Sequence, residues 1–179
     1  MKETVYMIGA GPGDPELITI KGKRLIDEAD VIIYAGSLVN PAVLDGRKPE
    51  AKVYDSAGMT LDEVIDVIGA AENDGLKVVR VHTGDPSIYG AIREQMDRLE
   101  ELEIPYEVVP GVSSFTASAA ALKKEFTLPD VSQTVICTRL EGRTPVPETE
   151  RLEDLAAHRA SMAIFLSVGM IDKVREKLL

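Results

Sequence analysis

Two glycine-rich segments hold most of the chemistry that this chain displays. They are Gly9-Ala10-Gly11-Pro12-Gly13-Asp14-Pro15 and Val81-His82-Thr83-Gly84-Asp85-Pro86-Ser87-Ile88-Tyr89-Gly90. Each follows a short apolar run of the kind expected of a parallel strand, and the carboxyl edge of an open α/β sheet is where ligands bind. The first segment is not a dinucleotide fingerprint. Pro12 removes a main-chain donor, and the sixth position of G-x-G-x-x-G is Asp14, whose carboxylate repels phosphate. What remains is a rigid wall against which a flat, weakly charged group can lie. In the second segment Gly84 permits close approach, Asp85 offers an acceptor to ribose hydroxyls or an amine, and Pro86 suits the first position of a helix. Asp85 reads equally well as a plain N-cap before that proline. A third segment, Pro110-Gly111-Val112-Ser113-Ser114, sets two hydroxyls at a helix start, where capping by Ser113 is the simpler reading.

Thr138-Arg139-Leu140-Glu141-Gly142-Arg143-Thr144-Pro145 places two arginines in a proline-bounded loop. The guanidinium fork matches carboxylates bidentately, so Arg139 and Arg143 are candidates to hold a polycarboxylate; a solvated loop is the plainer alternative. His82 and Glu141 are the acid–base candidates, although a histidine at a strand exit is more often structural. No His, Cys, Asp and Glu cluster has metal-ligand spacing, and no metal is expected. Cys137, within an apolar run, reads as core.

The elements that must position these residues alternate along the chain. Strands are expected at Val5–Ile8, Val31–Tyr34, Lys52–Tyr54, Val78–Val81, Tyr106–Val109, Thr134–Cys137 and Met162–Leu166. Thr19 caps a helix running to Glu28 with Ile20, Leu25 and Ile26 inward, and Thr60 with Glu63 forms a capping box. Further helices are expected at Leu61 to Gly75, Ile88–Glu103, Ser113–Lys123, Glu150–Ala157 and Ile171–Leu179. This alternation defines an α/β class with a mostly parallel sheet. The boundary falls at Pro110-Gly111. Residues 1–110 make an N-terminal α/β domain, and 111–179 begin a second, incomplete α/β domain, since only two strands follow residue 112.

Of the 179 residues 45% are hydrophobic and 28% charged, which is ordinary for a globular protein. No apolar run reaches the length of a membrane span, no signal-peptide pattern opens the chain, and a single cysteine forbids an intrachain disulfide. A cytoplasmic location with no membrane partner follows as the expectation. A net charge of −10 argues against nucleic acid, whose phosphates must be neutralised by Lys and Arg.

The glycine-rich exits, in this order and with Leu17-Ile18-Thr19 and Ala29-Asp30-Val31-Ile32 between them, resemble the tetrapyrrole methylases of corrin and sirohaem synthesis. Within that family, Tyr34-Ala35-Gly36-Ser37-Leu38-Val39, Asp55 to Thr60, His82 to Met96 and the Thr138–Pro145 loop look like the branch that methylates C11 of precorrin-4 or its cobalt complex. The resemblance runs from residue 3 to residue 179. It implies S-adenosylmethionine as methyl donor (leaving as S-adenosylhomocysteine) in a cleft between two α/β domains, a tetrapyrrole substrate, and a homodimer. It implies that Pro12 lines the cofactor cleft, that Gly84, Asp85, Ile88, Ser113 and Ser114 contact the cofactor, and that Val168 stands at a further contact position. It also implies more chain at the C-terminus than is found here. Two rivals remain within the fold and beyond it: another methylase, acting on uroporphyrinogen III, another precorrin, a diphthamide precursor or ribosomal RNA, and a non-catalytic cofactor-binding remnant. A nucleotide-dependent oxidoreductase is opposed by Pro12 and Asp14.

Overall fold

The computed structural model describes residues 3–142 and 144–179. The chain divides into two compact units, Met1–Ala117 and Ser118–Leu179.

The first unit is built on five parallel strands, β1 (Val5–Gly9), β2 (Val31–Tyr34), β3 (Lys52–Asp55), β4 (Val78–His82) and β5 (Tyr106–Val109), in the spatial order β3-β2-β4-β1-β5. Its helices are α1 (Ile20–Glu28), α2 (Leu61–Asn73), α3 (Arg93–Glu101) and the first part of α4 (Ser114–Leu122). The central strands read as continuous apolar runs because both faces are covered. Alternate residues divide between two cores. Ile8, Ile32, Val79 and Val81 pack with Leu25 and Ile26 of α1, whereas Met7, Ile33 and Val78 pack with Val64, Ile65 and Ile68 of α2 and Leu99 of α3. Connections from β1 and β2 run one way along the sheet and those from β3 and β4 run the other way. Crossovers of one hand therefore send α1 and α2/α3 to opposite faces.

Local chemistry sets the helix ends. The Thr19 hydroxyl accepts from Gly22 N–H at 3.1 Å, and Thr60 and Glu63 close the reciprocal capping box at the start of α2. After α2 the chain reverses at Gly75, whose φ of +67° suits a residue without Cβ.

Two expectations need correction in this unit. Ile20 is not an inward residue: it is 90% exposed, and it is Gly22 in the same turn that packs against Ile8 of β1. The helix expected from Ile88 begins only at Arg93. Tyr89 and Ala91 hold φ of 54° and 49°, and the chain at Gly90 packs so tightly that a Cβ there would stand 2.1 Å from the Pro86 carbonyl oxygen. A helix cannot pass through left-handed residues of this kind.

The second unit contains β6 (Val135–Arg139) paired in parallel with β7 (Ser161–Phe165), the short helix α5 (Leu152–Ala156) and α6 (Ile171–Leu178). Its small core gathers Leu140, Leu152 and Val174 with Met162, Ile164 and Met170 against them. Cys137 is exposed rather than core, since β6 is covered on one side only. Among the described residues no helix is long and apolar enough to cross a membrane.

Candidate functional site

The strands bearing the three glycine-rich exits are neighbours, β4, β1 and β5, and the registers Gly9↔His82 and Ile8↔Val109 bring their carboxyl ends level. Since β1 leads to a helix on one face and β4 to a helix on the other, their shared edge is the switch point of the sheet, where the departing loops leave a crevice. Main chain closes that crevice at its base. Gly11 N–H donates to the Gly84 carbonyl at 3.3 Å and Gly84 N–H to the Gly11 carbonyl at 2.8 Å, an antiparallel bridge between loops that follow parallel strands. Gly84 makes this turn with φ of +60°. A Cβ on Gly111 would lie 2.1 Å from the Gly84 carbonyl oxygen and 2.8 Å from the Gly9 Cα. Glycine at Gly111 is therefore what lets the third exit meet the first two.

Asp85 locks the arrangement. Its carboxylate accepts from Gly111 N–H at 3.0 Å and from Ser87 N–H at 2.8 Å, and also takes the Ser87 hydroxyl. Partial burial works against the charged form, but the Ser87 and Gly111 bonds outweigh it and hold the pKa below the ordinary aspartate value. A Cβ added to Gly84 would only just reach ordinary contact with the main chain of Ser113 and Ser114, and Ser113 is buried at 7% exposure with its carbonyl starting α4. Pro12 and Ile88 are half-buried at the same edge. The structure thus gathers Pro12, Gly84, Asp85, Ile88, Ser113 and Ser114 around one sheet edge. Asn40, which the sequence reading passed over, braces it by donating from Nδ2 to the Gly13 carbonyl at 2.8 Å, and the Thr83 hydroxyl donates to the Leu38 carbonyl at 3.3 Å.

The edge suits a donor that is not a phosphate. Segments 9–15 and 83–90 contain Asp14 and Asp85 but no Lys or Arg, and Pro12 and Pro15 offer no N–H. Asp14 spends its carboxylate on Glu16 N–H at 2.9 Å. Exposed main chain beside negative charge matches a sulfonium or ammonium group better than a pyrophosphate.

His82 ends β4 and is 4% exposed; its Nε2 is buried without a hydrogen-bond partner. Burial, together with the nearby Arg80 charge, pushes its pKa down to about 3 despite a hydrogen bond with the Gly90 backbone. The ring therefore stays neutral at physiological pH. Two residues earlier Arg80 is also buried, at 7% exposure, bonded through Nε to Gln95 Oε1 at 3.2 Å and through Nη1 to the Ile33 and Val81 carbonyls, both at 3.3 Å. Neither Arg80 nor Gln95 was singled out by the sequence. The signal was there, because an arginine inside the apolar run Val78-Val79-Arg80-Val81 must be buried with the strand.

The remaining predicted residues lie in the second unit. Arg139 Nη2 donates to the Thr144 and Pro145 carbonyls at 2.8 and 3.3 Å and so shapes its own loop. Glu141 is exposed, Val168 is 90% exposed, and Arg143 lies outside the described residues.

A five-stranded α/β unit with a main-chain cradle at its switch point has the architecture of proteins that bind small organic ligands at the carboxyl edge of the sheet. The comparisons make this particular: a family model described as Tetrapyrrole (Corrin/Porphyrin) Methylases matches residues 4–179, and the chain belongs to that family. A cobalt-precorrin-4 C(11)-methyltransferase of Methanocaldococcus jannaschii is 64% identical over 175 residues, which cover 98% of this chain and 68% of that protein. The solved structure of a cobalt precorrin-4 methyltransferase, a cobalamin biosynthetic enzyme, superposes with a TM-score of 0.95 at 51% identity, covering 98% of this chain and 73% of that one. Uroporphyrin-III C-methyl transferase of Thermus thermophilus, solved in complex with S-adenyl homocysteine, gives a TM-score of 0.77 at 30% identity, covering 98% and 71%.

Proposed function

We propose that this protein transfers a methyl group from S-adenosylmethionine to C11 of precorrin-4 or its cobalt complex, in the making of cobalamin. The observation that carries the reading is the 64% identity to a cobalt-precorrin-4 C(11)-methyltransferase over 98% of the chain, together with the glycine-and-aspartate cradle at the sheet's switch point. When bound, the donor supplies an already activated methyl group on a positively charged sulfur.

The chain's own residues hold and orient. Gly84 offers main chain to the donor and Gly111 lets the exits meet, with Pro12 and Ile88 as apolar walls and Ser113 and Ser114 beside them. Asp85 acts by fixing the cradle, because its oxygens already bind Ser87 and Gly111, and its charge favours a cationic donor nearby. A displacement at carbon needs alignment and exclusion of water more than a strong base. His82, held neutral, is suited to keeping the Gly90 turn in place. In the second unit Arg139, with Arg143 close in sequence, is proposed to meet substrate carboxylates and Val168 to add an apolar contact; Glu141 is the remaining acid–base candidate.

The test is calorimetric titration with S-adenosylhomocysteine and with NAD. One-to-one binding of the first and none of the second supports the reading; the reverse pattern would restore the nucleotide-dependent oxidoreductase.

A further inference from the structure

Arg80 is a charge inside the fold without a counter-charge. Among the described residues no carboxylate lies within ion-pairing distance of it, and its bonded partners are a neutral amide and two main-chain carbonyls. Buried ions are ordinarily paired, because their desolvation is otherwise uncompensated. Nε and Nη1 make the bonds just named. Nη2 makes none, yet it is not sealed from solvent, since the His82 Nε2 is the sole enclosed and unbonded side-chain nitrogen or oxygen among the described residues.

Arg80 lines a pocket of about 360 Å³ between the first turns of α2 and α3. Met59, Leu61 and Val64 make its apolar wall, and Gln95 and Glu94 its polar side. Helix α3 starts without a side-chain cap at Ile92, so the first-turn N–H groups at 93–95 lack the partner that a capping hydroxyl or carboxylate supplies. A buried cation with one free N–H edge, an uncapped helix start and an apolar wall together match a carboxylate on a short alkyl arm.

We infer that this pocket receives one carboxylate-bearing side chain of the tetrapyrrole, with Arg80 pairing to it through Nη2, and that this fixes the rotation of the macrocycle and hence which ring carbon is presented. The inference rests on the methyltransferase reading above and places the anchor in the first unit, apart from the arginine loop. Arg80 is a positioning residue here and takes no part in moving the methyl group.

The experiment measures methyl transfer and, separately, binding of uroporphyrin III followed by its fluorescence, in the wild type, Arg80→Lys and Met59→Trp. Arg80→Lys keeps the charge and loses the planar fork, while Met59→Trp fills the pocket from a half-buried wall. Both variants should weaken uroporphyrin III binding and raise the tetrapyrrole KM by about tenfold, the loss of one charge-assisted hydrogen bond. The KM for S-adenosylmethionine and the affinity for S-adenosylhomocysteine should not change. Normal tetrapyrrole KM and uroporphyrin binding in Met59→Trp would overturn the inference, even if Arg80→Lys lowered the melting temperature. A wild type that binds S-adenosylhomocysteine but methylates no tetrapyrrole would instead sink the methyltransferase reading.

Discussion

Asp85 shows how one side chain can be legible in kind and hidden in use. The sequence marks it as an acceptor in a glycine-rich exit, but only the fold shows that Gly111, 26 positions later, is the donor it serves. Asp85→Ala should weaken S-adenosylhomocysteine binding by about 1–3 kcal/mol, measured by calorimetry; unchanged affinity would remove the carboxylate from the cradle. His82 gives a separate signature. Its folded pKa of about 3 lies below the unfolded value of 6.5, so the unfolded chain takes up the proton first as pH falls. The stability that its neutral burial provides is complete above 6.5 and is lost on descending toward 3. Between these limits the slope is at most about 1.4 kcal/mol per pH unit. Carboxylates with lowered values, such as Asp85 and Asp30, lose their contribution only below the ordinary aspartate range. Urea denaturation of His82→Gln from pH 7 to about 4.5 should therefore show a flatter acid limb than the wild type. Equal slopes would mean that the imidazole is solvated. The sequence marks His82 as a structural histidine, but how far its pKa falls depends on burial by helices contributed from elsewhere in the chain.

At the scale of elements, strands and caps were the readable part. Val31-Ile32-Ile33 announces burial on both faces, and the Thr60–Glu63 box sets the start of α2 as its spacing requires. The start of α3 was not readable, since Tyr89 and Ala91 are forced into left-handed backbone by the return of the loop onto Pro86. That detour from Gly84 to Ile92 delays the helix and opens the Arg80 pocket beside it. The meeting of the three exits makes its own prediction. Gly111→Ala places a Cβ against the Gly84 carbonyl and must push the β4 and β5 exits apart. The cost should be about 1–3 kcal/mol of stability, with S-adenosylhomocysteine binding lost in step; a variant that binds normally would show that the exits need not touch.

At the scale of the molecule, the two units differ in how deeply their strands lie. β4 is buried at all five positions, whereas β7 is half-buried throughout. The sequence forecast a strong first unit and a sparse second one from strand count alone, and placed their boundary at Pro110-Gly111. The first compact unit runs to Ala117, inside α4, because that helix starts from the β5 exit. Hydrogen exchange should therefore protect β1, β2 and β4 more than β6 and β7, and uniform protection across both units would mean that the second is covered as fully as the first. The protein should be incubated with S-adenosylmethionine carrying a carbon-13 methyl group and with precorrin-4 or its cobalt complex, and the product read by NMR. The account predicts one labelled methyl group per macrocycle, bonded at C11; a label at any other ring carbon, or none in a preparation that binds S-adenosylhomocysteine, would contradict it.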